Sequence, residues 1–277
     1  MALFDDMLGH GESLFKNPGV LEETYLPRLL PYRENKQKYL ANSIKKVERG
    51  GANVLIHGPP GIGKTASVRY IFRELKMESD DILPVYINAW ENNNFTKVVH
   101  HICNELEMKP MGRNTDRLWN IILDKIKDYK GIAFAFDEID KTGKASFLYN
   151  FLEELDYKTI FLITTKKDWY SKVDDRIRSR LNPEYLEYET YSYEETEGIL
   201  GKRKKHAFVQ GVWEEGAFEE VVNKCHKKED IRFGLSLLRR AGNKAEDDAS
   251  KKITLDHVKS VLDNERKRDG KSLENFE

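Results

Sequence analysis

The chain has 277 residues, 39% of them hydrophobic and 34% charged, with 46 basic against 47 acidic side chains and a net charge of −1. That is enough apolar material for one large or two modest cores. The balanced charge excludes a protein that holds nucleic acid by overall basicity, and two cysteines, Cys103 and Cys225, exclude a disulfide scaffold or a zinc site of ordinary spacing. No apolar run approaches the ~20 residues that span a bilayer, and Asp5 and Asp6 stand where a secretory leader would be basic and apolar, so no membrane partner and a cytoplasmic location are expected.

Residues 1–34 are expected to form an irregular N-terminal arm, because Gly9, Gly11, Pro18, Gly19, Pro27 and Pro31 interrupt any long element. Residues 34–49 read as a helix with Leu40, Ile44 and Val47 on one face, stopped by Gly50-Gly51. Residues 52–57 are a short apolar strand. The next stretch, Gly58-Pro59-Pro60-Gly61-Ile62-Gly63-Lys64-Thr65, fits G-x-x-x-x-G-K-[ST] without a mismatch. A helix over 64–76 follows, with Val68, Ile71, Phe72 and Leu75 on one face. Residues 82–89 read as a second strand and 95–107 as an amphipathic helix. Adjacent helical positions point about 100° apart, so His100 and His101 read as two solvent-side histidines rather than a metal pair. Pro110 and Gly112 then break the chain before a helix over about 116–129.

Residues 132–138 are a buried strand ending in Asp137-Glu138. A helix over 145–155, a strand over 159–165 and a last strand over 185–188 complete an alternation of helices with strands apolar on both faces. That pattern predicts a parallel sheet covered on both sides. Beyond residue 190 it turns wholly helical, over 192–205, 214–225, 231–245 and 254–268. The expected organisation is therefore an arm (1–34), an α/β core (35–190), a small all-helical domain (191–268) and a tail (269–277).

The glycine loop sits between a strand and a helix, the setting in which backbone N–H groups and a helix N-terminus cradle phosphate. Gly58, Pro59, Pro60, Gly61, Ile62, Gly63, Lys64, Thr65 and Ala66 are the expected nucleotide contacts. Lys64 would reach the β- and γ-phosphates, and the Thr65 hydroxyl would ligate Mg²⁺. Asp137, 73 residues after Lys64, lies at the carboxyl end of a strand, where ligands of open α/β sheets bind. It would be the second Mg²⁺ ligand, through water, with Glu138 as the group that orients or deprotonates the attacking water. The competing reading is that Asp137 only caps the next helix.

With these motifs and a trailing helical domain, the chain resembles an AAA+ ATPase, and specifically the archaeal and eukaryotic origin-recognition/cell-division-control initiator ATPases. The leader Phe15-Lys16-Asn17-Pro18-Gly19-Val20-Leu21, then Tyr25-Leu26-Pro27 and Pro31-Tyr32-Arg33-Glu34, is similar to that family's. So are the second strand Val85-Tyr86-Ile87-Asn88, the acidic run Phe136-Asp137-Glu138-Ile139-Asp140-Lys141 and the box Asp174-Asp175-Arg176-Ile177-Arg178-Ser179-Arg180. Tyr191 with Ile199-Leu200 and Arg203 resembles its first lid helix, and Asp230-Ile231-Arg232 with Leu237-Leu238-Arg239 its second sensor.

The resemblance implies a parallel five-stranded P-loop sheet flanked by helices, then a helical lid, with ATP, ADP and Mg²⁺ as cofactors. It makes Tyr191, Arg203 and Arg232 nucleotide contacts from the lid. It makes Arg176, or failing it Arg180, a finger acting on a neighbouring subunit's ATP, unless these arginines simply line a solvated basic helix. Arg203 has its own alternative, offsetting the negative end of its helix. Thr165 stands where the family places an asparagine as sensor one, and Glu229 where glycine is usual. Nine residues (269–277) follow the last expected helix, so the family's winged-helix domain is expected to be missing.

The expected function is that of a slowly hydrolysing, switch-like replication-initiator ATPase. Its ATP or ADP state would control origin DNA or helicase-loading complexes. Duplex DNA would be held weakly, through Lys109, Arg113 and Asn114, and other initiator subunits or a replicative helicase are the expected protein partners. In an archaeal cell it would associate with the nucleoid. The alternative is a regulatory paralogue without the winged helix, or a helicase-loader-type ATPase, acting through protein partners alone.

Overall fold

The computed structural model describes residues 13–108, 114–143 and 145–274, with side chains described as far as 264. The chain divides into two compact units, one of residues 28–190 and one that joins the leader through Pro27 to everything from Tyr191 onward.

The first unit is the expected α/β sandwich. It opens with α1 (Glu34–Lys45). The single helix expected over 34–49 is instead two pieces, because Lys46 ends α1 and Val47–Arg49 tighten into a 3-10 turn closed by Gly50 at φ 94°. Strand β1 (Val54–His57) leads through the glycine loop into α2 (Lys64–Glu78), and β2 (Ile82–Asn88) follows. The helices α3 (Phe95–Glu105) and α4 (Thr115–Ile126) each start on an asparagine, Asn94 and Asn114, whose side chain accepts a backbone N–H of the first turn. Strand β3 (Gly131–Asp137), helix α5 (Leu148–Glu154), strand β4 (Lys158–Thr164), helix α6 (Asp175–Leu181) and strand β5 (Glu184–Glu187) complete the unit. The helix expected from 145 starts later because Ala145 sits at φ 47°, outside helical geometry.

All strand pairs are parallel, in the order β2-β3-β4-β1-β5. Every residue of β1 and β3 is buried, as strands with helices on both faces require. The main core is aromatic on one side, where Phe134, Phe136, Phe151 and Trp119 meet with centroids 5.1–5.9 Å apart. One expectation needs correcting. His101 is half-buried rather than fully on the solvent side; its Nε2 lies 2.8 Å from the Tyr86 carbonyl, tying α3 to β2.

The second unit consists of α7 (Tyr193–Ala207), α8 (Glu215–Lys228), α9 (Ile231–Asp247) and α10 (Leu255–Glu274). Ser192 starts α7 with a full capping box to Glu195. The leader belongs to this unit. Phe15 bridges to Phe208, the N–H groups of Lys16 and Asn17 both donate to the Ala207 carbonyl, and Val20 and Leu21 are buried with Leu200, Leu235 and Leu238. An irregular arm survives here because its apolar residues supply part of the helical core. Among the described residues no helix is long and apolar enough to cross a membrane.

Candidate functional site

The parallel order places the carboxyl ends of β1 and β3 on one edge of the sheet, with β4 between them. The loop that leaves β1 depends on glycine for its path. A Cβ on Gly58 would stand 2.2 Å from the Tyr188 carbonyl oxygen, and Gly61 and Gly63 hold φ of 72° and 90°. Gly63 thereby serves as the N-cap of α2 and turns the helix N-terminus toward the loop. Arg33, in the same unit, braces this turn. Its buried guanidinium donates to the carbonyls of Ile62 (3.3 Å) and Glu189 (2.6 Å) and lies 5.3 Å from the centre of the Tyr188 ring. His57, at the end of β1, is buried, and burial pushes its pKa below the usual imidazole value.

Lys64 is only 7% exposed. Its Nζ donates to the carbonyls of Gly58 (2.6 Å) and Pro59 (2.5 Å), which folds the ammonium back into the loop. One residue on, the Thr65 hydroxyl donates to Asp137 Oδ2 at 2.6 Å. The two motifs, far apart in sequence, therefore meet through a hydrogen bond. Asp137 is 5% exposed and takes two further donors, the Tyr86 hydroxyl on Oδ2 (2.6 Å) and the Glu138 N–H on Oδ1 (2.9 Å). Tyr86 was not singled out by chemistry from the sequence, although a hydroxyl-bearing residue in an otherwise apolar strand was the available signal.

Glu138 is placed by strain. Its φ of 54° puts a bulky side chain in the left-handed region, a conformation that costs energy and concentrates at functional sites. Its Oε2 is buried without a hydrogen-bond partner among the described residues. An orphaned carboxylate oxygen on the residue next to Asp137 suits a water to be activated. The hydroxyl and carboxylate oxygens themselves suit a hard divalent cation. These oxygens therefore fit Mg²⁺, while the glycine loop, the α2 N-terminus and Lys64 fit a nucleotide's phosphates.

The position after β4 departs from the simplest expectation. Thr165 is exposed just past the strand. The buried hydroxyl is that of Thr164, which donates to Asp140 Oδ1 at 2.9 Å and accepts the Lys166 N–H at 2.9 Å. The Asp140 side chain is 1% exposed, with Lys166 Nζ 3.9 Å away. The end of β4 is thus tied to the 3-10 turn that follows β3.

The arginines fall into distinct settings. Arg176 is exposed and pairs with Asp174, the N-cap of its own helix, whereas Arg180 is tied to Glu153 and lies 5.3 Å from the Tyr149 ring centre. Arg232 pairs with Asp230 at 2.9 Å. Arg203 is committed to the leader. It donates to the carbonyls of Val20 (2.9 Å) and Tyr25 (3.4 Å) and stacks 4.9 Å from the Tyr25 ring centre, while burial pushes its pKa down. Lys204 and Lys205 occupy the last turn of α7, so the cations at that helix end are these rather than Arg203. Tyr191 is half-buried just ahead of the Ser192 cap. Of the residues expected to touch DNA, Lys109 and Arg113 lie outside the described residues. Asn114 is exposed, and its Oδ1 accepts the Arg117 N–H at 3.0 Å as the cap of α4.

Comparison with known proteins agrees with this geometry. Residues 47–184 match the family profile described as an AAA domain, and residues 197–262 match the one described as a Cdc6 AAA+ ATPase-type lid domain. The chain is 31% identical over 266 residues to ORC1-type DNA replication protein 2 of Archaeoglobus fulgidus, covering 90% of this chain and 69% of that protein. Among solved structures it is similar to the Aeropyrum pernix ORC1 protein in complex with DNA, at 25% identity and a TM-score of 0.79, over 92% of this chain and 70% of that one. The Aeropyrum pernix ORC2 protein, solved as ADPNP–ADP complexes, shares the fold at 18% identity and a TM-score of 0.78, over 91% of this chain and 73% of that one. With the sheet and the lid matched along a single chain, and most of an archaeal relative covered at that identity, this protein belongs to the ORC1/Cdc6-type family of AAA+ replication-initiator ATPases.

Proposed function

We propose that the chain binds ATP with Mg²⁺ on residues 58–66, hydrolyses it slowly, and uses its ATP and ADP states to switch an origin-DNA or helicase-loading complex. The observation that carries this reading is the 2.6 Å bond from Thr65 to Asp137, which joins the phosphate loop to the acidic strand end. Lys64 would exchange its loop carbonyls for the β- and γ-phosphates. Thr65 and Asp137 would hold Mg²⁺, whose charge would offset that of the phosphate chain. Glu138 would take a proton from the attacking water at its carboxylate. In the second unit, Tyr191, Arg203 and Arg232 are the groups proposed to answer the nucleotide. For Arg203 that role would have to run through the Val20–Tyr25 carbonyls it holds. The exposure of Arg176 favours it over Arg180 as the finger acting on another subunit.

Slow turnover follows from the sensor-one position. A threonine hydroxyl is shorter and has fewer donors than an amide, and Thr165 is exposed. Phosphate-release assays should give a rate well below the ~10 s⁻¹ typical of enzymes. Thr165→Asn should raise that rate by about one hydrogen bond's worth, up to roughly tenfold, with ATP affinity unchanged. An unaltered rate would remove Thr165 from the mechanism.

Duplex DNA is the proposed partner, weakly held by these 277 residues on their own, in the cytoplasm and on the nucleoid of an archaeal cell. Two phosphate contacts, from Lys109 and Arg113, give a log–log salt slope of about −2. The competing reading is a regulator that works only through protein partners. It is favoured by the net charge of −1 and by the engagement of the Asn114 oxygen in its own helix cap. Filter binding on duplex DNA with ATP and with ADP separates the two. Micromolar or weaker binding that differs between the nucleotides supports the initiator reading, and no binding in either state supports the regulator.

A further inference from the structure

We propose that Tyr86 is a positioning residue for the metal site: its hydroxyl holds the Asp137 carboxylate in the orientation that receives Mg²⁺. The inference rests on the ATP·Mg²⁺ reading above and adds to it a residue from a strand that carries no nucleotide motif.

The geometry is specific. Strands β2 and β3 run parallel with Tyr86 paired to Ala135 and Asn88 to Asp137. Side chains two residues apart on a strand share a face, so Tyr86 and Asp137 lie on one face of the sheet. Ala135, registered beside Tyr86, is small enough to leave the ring room to lean along the strand toward Asp137. The phenol ends 2.6 Å from Asp137 Oδ2, the same oxygen that accepts from Thr65, while Oδ1 is held by the Glu138 N–H. The backbone of Tyr86 is fixed from the other side by His101, and the Arg69 guanidinium of α2 lies 5.6 Å from its ring centre. The ring therefore has a defined place, and the hydroxyl is aimed.

Two donors on Oδ2 and one on Oδ1 leave the carboxylate a single orientation. Thr65 alone cannot provide this. Its hydroxyl oxygen would also have to face the cation, so the bond it already makes to Asp137 would have to adjust to the ion. Tyr86 has no ligand duty, so its bond to Asp137 need not change when the cation binds. Without the phenol, the carboxylate can rotate about its side-chain bonds, and Mg²⁺ binding must restore the lost order.

The test is Tyr86→Phe, which deletes one oxygen and keeps the ring against Arg69. ATP affinity should be measured by calorimetry at a series of Mg²⁺ concentrations and in EDTA, on the full chain and beside the wild type. The expected result is that the Mg²⁺ concentration for half-maximal enhancement of ATP binding rises about tenfold, the lower value for a hydrogen bond to a charged group. Affinity in EDTA should stay within twofold of wild type, and turnover should recover when Mg²⁺ is raised. A purely structural role would move the EDTA affinity and the melting temperature and would not be rescued by Mg²⁺; that outcome overturns the proposal. So does a Mg²⁺ dependence identical to wild type. If the wild-type chain itself shows no Mg²⁺-dependent ATP binding, the nucleotide reading fails first, and this inference with it.

Discussion

Replacing Lys64 with alanine is expected to lower ATP affinity at least tenfold. The ammonium is nearly buried and already held by the Gly58 and Pro59 carbonyls, which means the loop keeps a cationic donor inside its curve. A charge-assisted hydrogen bond is worth about 1.5–3 kcal/mol, and about 1.4 kcal/mol is a factor of ten in a binding constant. One lost phosphate contact therefore costs between tenfold and roughly a hundredfold. Removing a buried side chain also disturbs the loop, so Lys64→Met is the matching control, because it restores most of the volume without the charge. Both variants should lose affinity by calorimetry while retaining the wild-type melting temperature to within a few degrees. Wild-type affinity in either variant would remove the loop from the nucleotide site.

Glu138→Gln is expected to separate binding from chemistry. The side chain stands on a strained backbone at φ 54° with Oε2 buried and unpartnered among the described residues, next to Asp137 but outside its hydrogen bonds to Thr65 and Tyr86. Glutamine keeps the shape and removes the basic oxygen. General-base catalysis contributes about 10²–10⁴-fold, so single-turnover hydrolysis should fall by that factor while ATP affinity stays within about threefold. A variant that loses affinity and rate together would show that Glu138 contributes to ground-state binding instead. A variant that hydrolyses at the wild-type rate would show that another group activates the water.

Much of this site could be read from the residues, and the reasons are local. The spacing from Gly58 to Thr65 encodes a backbone path, and a path is a property of consecutive residues. The strand that ends in Asp137-Glu138 is apolar at every preceding position, which only a sheet covered on both faces accommodates. What escaped were partnerships between residues far apart in the chain. Tyr86 meets Asp137 across 51 positions, Arg33 reaches Ile62 across 29, and Thr164 reaches Asp140 across 24. Periodicity assigns a side chain to a face, but it does not say which neighbouring strand or loop faces it there.

The leader shows the same limit. Its prolines and glycines mark it as irregular, whereas the burial of Val20 and Leu21 depends on Leu200, Leu235 and Leu238, more than 170 residues later in the sequence. Arg203 is a related case. Its spacing from Tyr191 matches a lid motif, yet its guanidinium is held by two carbonyls of the leader. Helix ends shifted for local reasons, such as the left-handed backbone at Ala145 and the early stop at Lys46.

The most direct measurement is a calorimetric titration of ATP into the wild-type chain, once with Mg²⁺ and once with EDTA. Because Thr65 and Asp137 form a ready oxygen pair beside the phosphate loop, saturable binding to a single site is expected, tightened at least tenfold by Mg²⁺. No saturable binding, or an affinity indifferent to Mg²⁺, would contradict the assignment of Lys64, Thr65 and Asp137 to an ATP·Mg²⁺ site.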